Sequence, residues 1–249
     1  MESELVFSRF GKYEMVQGDL IGWASGLCGG IGRLAAAAWA VGLILTAPGG
    51  LAAQTLSLEE TESLVRALYY EGMPEERAER IGPAGCVRLL EMLTDPGESR
   101  SHGQILVAIG LCGPPGGFEA IRDWAEAPRS GEVDRATFRA WQALPFALGH
   151  LARHDRRALT GLERRLNDAE LPDWTFRHHR GARLLSQSRR SAATCLALTG
   201  MPEAGDALDR ARGSTSDPGF RAHLDETRAM HRRSERARRV RRGTHGSSP

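Results

Sequence analysis

His150 and His154 stand four residues apart, the spacing that lets two imidazoles on one helix face a single ion. Asp155 follows at once, and His178-His179 come later in the chain. A zinc site is the sharpest chemistry these residue types offer. Two features oppose it. Gly149 is expected to end the helix just before His150. Arg153, Arg156 and Arg157 would also repel a cation. The expectation is therefore no metal site. Gly113-Pro-Pro-Gly-Gly117 is glycine-rich, but its two prolines remove amide donors that a phosphate cradle would use, so it reads as a turn between helices. The motifs G-x-x-x-x-G-K-[ST], H-E-x-x-H, G-x-S-x-G and C-x-x-C are absent from the chain. The sequence offers no catalytic residues and no cofactor, and the expectation is a non-enzyme.

Two groups of side chains point to binding. Trp124 and Trp141 fall at helical spacing with other apolar residues and read as core. Trp174, Phe176, Arg177, His178, His179 and Arg180 form an aromatic and basic stretch that reads as a partner-binding insertion. The second group is electrostatic. The chain has 33 basic and 31 acidic side chains in 249 residues, a net charge of +2. Eight arginines against Glu235 give +7 between Arg228 and Arg242, leaving the rest of the chain at −5. Arg232, Arg233, Arg236, Arg238, Arg239, Arg241 and Arg242 are therefore candidates for contact with an anionic surface. The run has no interleaved aromatics for base stacking, so no specific nucleic acid is expected. Residues 214–249 read as a solvated, disordered basic tail.

The other end carries a different signal. No charged residue occurs between Arg33 and Glu59, and Leu34–Leu45 is uniformly apolar. Thr46-Ala-Pro-Gly-Gly50 breaks the run, and small residues follow at Ala52-Ala53. That order resembles a secretory signal peptide covering 1–53, which places the mature protein in the periplasm or outside the cell. The second reading is a membrane anchor over 34–53. Such an anchor reaches the necessary length of about 20 residues only by including Pro48-Gly49-Gly50. Export would leave Cys86, Cys112 and Cys195. Cys86–Cys112 is a candidate bridge, and the competing reading is three small buried thiols.

The elements that position these groups are helical. Between Gln54 and Thr227 there are 22 leucines but only four isoleucines and four valines. That balance favours helix over strand. Ser57-Leu-Glu-Glu60 is a capping box. Apolar stripes recur at Leu64/Val65/Leu68/Tyr69, at Val87/Leu89/Leu90/Leu93 and at Ile105/Leu106/Ile109. Phe118/Ile121/Trp124 and Phe138/Trp141/Leu144/Leu148/Leu151 continue the pattern, with Pro145 expected to bend the last of these helices.

One phrase repeats through this series: Val107-Ala-Ile-Gly110, Phe146-Ala-Leu-Gly149 and Leu196-Ala-Leu-Thr-Gly200. Each is followed by a turn and a short amphipathic helix. The small residues allow close helix approach, and each glycine is expected to end its helix as a left-handed cap. With a period near 40 residues and an insertion around Asp168–Arg180, the succession resembles HEAT-type or PBS-lyase-like HEAT repeats. The resemblance implies an all-α solenoid of stacked antiparallel helix pairs over 54–213. It implies a non-catalytic scaffold mediating protein–protein interaction, which the expected signal peptide would place in the cell envelope. Two alternatives remain open: a bilin-attaching enzyme of the PBS-lyase-like group, and an arginine-lined nucleic-acid-binding solenoid.

Overall fold

The computed structural model describes residues 54–69, 72–167, 172–176 and 181–245, with side chains to residue 240. The expected signal peptide at 1–53 lies outside the described residues. The described chain is all helical, with no strand and two isolated bridges, Leu56 to Ile81 and Glu132 to Thr175.

Helix α1 (Leu58–Arg66) starts on the expected capping box. The Ser57 amide donates to Glu60 at 2.8 Å and the Glu60 amide donates to Ser57 Oγ at 3.1 Å. A short α2 (Glu75–Ala78) leads to α3 (Pro83–Thr94), whose N1 proline lacks only an amide that would be unpaired there. A 3-10 turn over Pro96–Ser101 then runs into α4 (His102–Cys112). Five more short and long helices alternate: α5 (Gly117–Glu126), α6 (Arg135–Leu151), α7 (Arg157–Asn167), α8 (Gly181–Thr199) and α9 (Pro202–Ser214). The last is α10 (Pro218–His245).

The long helices pack in series. α4 lies along α6, α6 along α8, and α8 along α10. The short helices fill the flanks: α5 against α3 and α6, α7 against α6 and α8, and α9 against α7, α8 and α10. α4 is enclosed, with Ile105, Leu106, Ala108, Ile109, Gly110 and Leu111 all buried. A helix apolar on nearly every side must be covered on nearly every side. Each fully buried leucine or isoleucine along the series, such as Leu89, Ile109, Leu144, Leu162 and Leu184, contributes about 1.5–3 kcal/mol of transfer free energy.

The repeated phrases sit where one long helix meets the next. A Cβ on Gly110 would fall 3.0 Å from the Ala147 carbonyl carbon and 3.1 Å from its Cα. A Cβ on Gly149 would fall 3.2 Å from Cys195 Cβ, and one on Gly200 would fall 2.8 Å from the Ser234 carbonyl carbon. Each glycine thus touches the helix that follows in the series. Only Gly200 (φ +58) has the expected left-handed backbone. Gly110 lies inside α4, whose left-handed cap is Gly113 (φ +61). Gly149 lies inside α6, which runs on to Leu151. These two glycines serve close approach and not capping.

The expected disordered tail is replaced over Pro218–His245 by a helix. Asp217 caps it, its Oδ1 accepting from the Gly219 amide at 2.8 Å and the Phe220 amide at 3.2 Å. Phe220, Leu224, Thr227 and His231 form a buried stripe at helical spacing against α8 and α9. Two of the four are polar in type, which hides the stripe from a hydropathy reading. Both are satisfied in place. Thr227 Oγ1 donates to the Leu224 carbonyl at 3.0 Å, and His231 Nε2 lies 2.8 Å from the Met201 carbonyl.

Candidate functional site

The structure gathers part of the histidine set at one open cleft of about 260 Å³, lined by Glu79, Cys112, His150, Arg153 and His154 among others. Because α6 continues past Gly149, His150 is helical after all. Burial first, and then the Arg153 charge, push its imidazole down to about 4. Its Nε2 lies 3.8 Å from Glu75 Oε1. The His154 ring covers Gly113, and its Nε2 sits 3.1 Å from the Leu111 carbonyl, across the junction between α4 and α6. Among the described residues no group of three or more His, Cys, Asp or Glu is placed to hold a metal ion. His178 and His179 lie outside the described residues.

On one wall of that cleft, Cys112 is disulfide-bonded to Cys86, with Cα atoms 6.2 Å apart, within the usual span for a bridge. The bond ties α3 to the end of α4. Cys195 is a free thiol inside α8, fully enclosed, and burial raises its pKa far above the ordinary value.

The tryptophans converge in one place. Trp124, Trp141 and Trp174 are all buried. Trp124 and Trp174 meet edge to face at 5.9 Å, and Phe176 bridges Trp174 at 6.0 Å and Trp141 at 5.5 Å. Trp174 Nε1 donates to the Ala127 carbonyl at 3.0 Å, and the Val133 amide donates to the Thr175 carbonyl at 3.0 Å. Residues 172–176 are therefore pinned against the loop between α5 and α6. Both rings of the proposed partner-binding stretch turn inward and anchor it. Arg177, His178, His179 and Arg180 lie outside the described residues.

Sequence reasoning missed the cation at the centre of this cluster. The Arg129 guanidinium lies 4.6 Å from the Trp124 ring centroid and 4.2 Å from that of Trp174. Its Nη2 donates to the Trp124 carbonyl at 3.3 Å. Burial lowers its pKa from the usual value. Nothing local marks Arg129, because its aromatic partners are five and 45 positions away. His102 was missed too. Trp124 Nε1 donates to His102 Nδ1 at 3.0 Å, so the imidazole proton sits on Nε2, 3.3 Å from the Asp95 carbonyl. Burial is the first cause of its lowered pKa. These polar groups are paired with one another and with backbone, the pattern of a satisfied core.

The arginines of the C-terminal run fall on α10. Arg232, Arg233, Arg236 and Arg239 are exposed, while Arg238 is only half-buried on the seated side. Arg239 pairs with Glu235 at 2.7 Å. The side chains of Arg241 and Arg242 lie outside the described ones. No family model, curated protein or solved structure matches the chain. Among the described residues, no helix is long and apolar enough to cross a membrane.

Proposed function

We propose that residues 54–213 are a HEAT-like solenoid serving as a non-catalytic protein-binding scaffold in the cell envelope, with α10 closing its C-terminal end. The observation that carries the reading is the register of the three phrases. Gly110 touches Ala147, Gly149 touches Cys195 and Gly200 touches Ser234, so each long helix is seated on the next by the same kind of contact. Stacks of this kind bury one continuous core through nearest-neighbour contacts and leave extended surfaces for partners. Burial of the last repeat under α10 fits the terminal cap that such stacks need. The disulfide between Cys86 and Cys112 favours an oxidising compartment. At the cleft Glu79 and Arg153 pair with each other at 3.7 Å, His154 meets the Leu111 carbonyl and burial disfavours the charged form of His150, which favours binding over acid–base chemistry.

The partner contact is assigned to Arg177, His178, His179 and Arg180, next to the anchored Trp174–Phe176 segment. The test is affinity capture from envelope extract with the full chain and with an R177A/H178A/H179A/R180A variant. A protein recovered in stoichiometric amount by the first, and lost from the second, supports the scaffold. Recovery of nothing above background by either chain, or equal recovery by both, removes it.

A further inference from the structure

We infer that the outward face of α10 from Arg232 to Val240 is a docking surface for an anionic phospholipid bilayer. The inference does not rest on the scaffold reading.

The geometry of α10 divides it into two sides. Phe220, Leu224, Thr227 and His231 are buried, and the backbone at Ser234 meets Gly200. At about 100° per residue these positions fall on one side of the helix. Arg232, Arg233, Arg236, Arg239 and Val240 fall within an arc of about 120° on the opposite side. All five are exposed, Val240 at 67%. Arg232 to Arg239 spans about 10 Å at 1.5 Å per residue. The helix cannot roll to share these arginines with the body. His231 is held to the Met201 carbonyl, and Arg228 is tied both to Asp209 at 2.8 Å and to His231 Nδ1 at 2.9 Å. The face is therefore fixed in orientation, with four guanidiniums and one apolar side chain on its outward arc, Arg239 being paired with Glu235 of the same helix.

The composition of the arc selects among polyanions. A helix packed on its own domain can enter a DNA major groove, and arginine can pair with guanine edges there. The outward arc, however, carries no amide or hydroxyl side chain to extend such reading and no aromatic ring to stack on bases. A plane of lipid phosphates needs only one face of a helix. Guanidiniums suit phosphate oxygens through paired N–H donors, and a single exposed valine suits the headgroup boundary.

The experiment is cosedimentation of the full chain with two kinds of vesicle, phosphatidylcholine alone and phosphatidylcholine mixed with phosphatidylglycerol. The readout is the ratio of the two affinities, which is insensitive to apolar insertion by any other part of the chain. Each near-surface arginine is worth about fivefold in partition at ordinary salt. The variant R232Q/R233Q/R236Q is therefore expected to lower the ratio about a hundredfold and R236Q alone about fivefold, while R238Q, on the seated side, changes it less than about twofold. Circular dichroism checks that the variants keep their helix content. Three results each overturn the inference: no preference of the native chain for anionic vesicles, equal loss in R238Q and R236Q, or tighter binding to duplex DNA than to anionic vesicles at the same salt.

Discussion

The seating of α4 on α6 through Gly110 makes a sharp prediction for Gly110→Ala. In isolation this change favours a helix by about 1 kcal/mol, because glycine carries the larger backbone entropy cost. In place it drives a methyl group against the Ala147 backbone, 3.0 Å from its carbonyl carbon and 3.1 Å from its Cα. Ordinary van der Waals contact begins near 3.4 Å. No rotamer change relieves a clash with backbone, so α4 and α6 must separate along an interface that buries Ile105, Leu106, Ile109 and Leu144. Forcing extra atoms into a packed core costs typically 1–3 kcal/mol, and the upper end applies to a backbone clash. After the propensity gain, the net loss is roughly 1–2 kcal/mol. For a body of this size that is a fall in Tm of roughly 2–8 °C. Gly213→Ala is the matched control, since no atom lies within 4 Å of its added Cβ inside α9. It should be neutral or stabilising by up to about 1 kcal/mol. Urea unfolding followed by circular dichroism reads both. If Gly110→Ala is as stable as the native chain, or the two substitutions shift stability in the same direction, the close-approach account of the repeated phrase is refuted.

Three further expectations are independent of that one. Burial chiefly holds the His150 imidazole down to about 4, from an ordinary value of about 6.5. The unfolded chain therefore binds more protons between those values, so the imidazole's contribution is complete above about pH 6.5 and is lost as pH falls toward 4. That contribution is on the order of 3 kcal/mol, and His150→Asn should flatten the fall in urea midpoint over this window. Alkylation under native conditions should leave all three described cysteines unlabelled. Of these three, unfolding without reductant should expose only Cys195, and labelling of Cys86 or Cys112 at that stage would show that the bridge is missing. Reduction of a bridge spanning 26 residues should cost about 3–4 kcal/mol by chain entropy. Arg129→Ala removes a cation held between two indoles, with an expected loss of about 1–2 kcal/mol and a red shift of tryptophan emission as water reaches Trp174. Unchanged emission would mean that Trp174 does not depend on Arg129 for its burial.

Local physics alone determined much of this chain. The Leu-rich, β-branch-poor composition set the helical class, because helix and strand preferences follow from side-chain freedom near the backbone. The Ser57–Glu60 cap and the Gly113–Gly117 turn were legible for the same reason: each is an interaction among residues within four positions. The glycine phrases were visible as a repeat, but their role was not. A glycine that ends a helix and one that admits a neighbouring helix look alike in sequence. Only the packing of α4 on α6, and of α6 on α8, separates Gly110 and Gly149 from Gly200. The C-terminal helix shows the same limit. Its inner stripe contains threonine and histidine, which read as polar until Met201 and Arg228 are found to satisfy His231. The aromatic cluster shows it most clearly. Trp174 read as a side chain for a partner, yet its partners are Trp124, Arg129 and Ala127, some 45 to 50 residues earlier. Whether a group faces solvent or core is a property of surface that other elements cover, and no single segment carries that information.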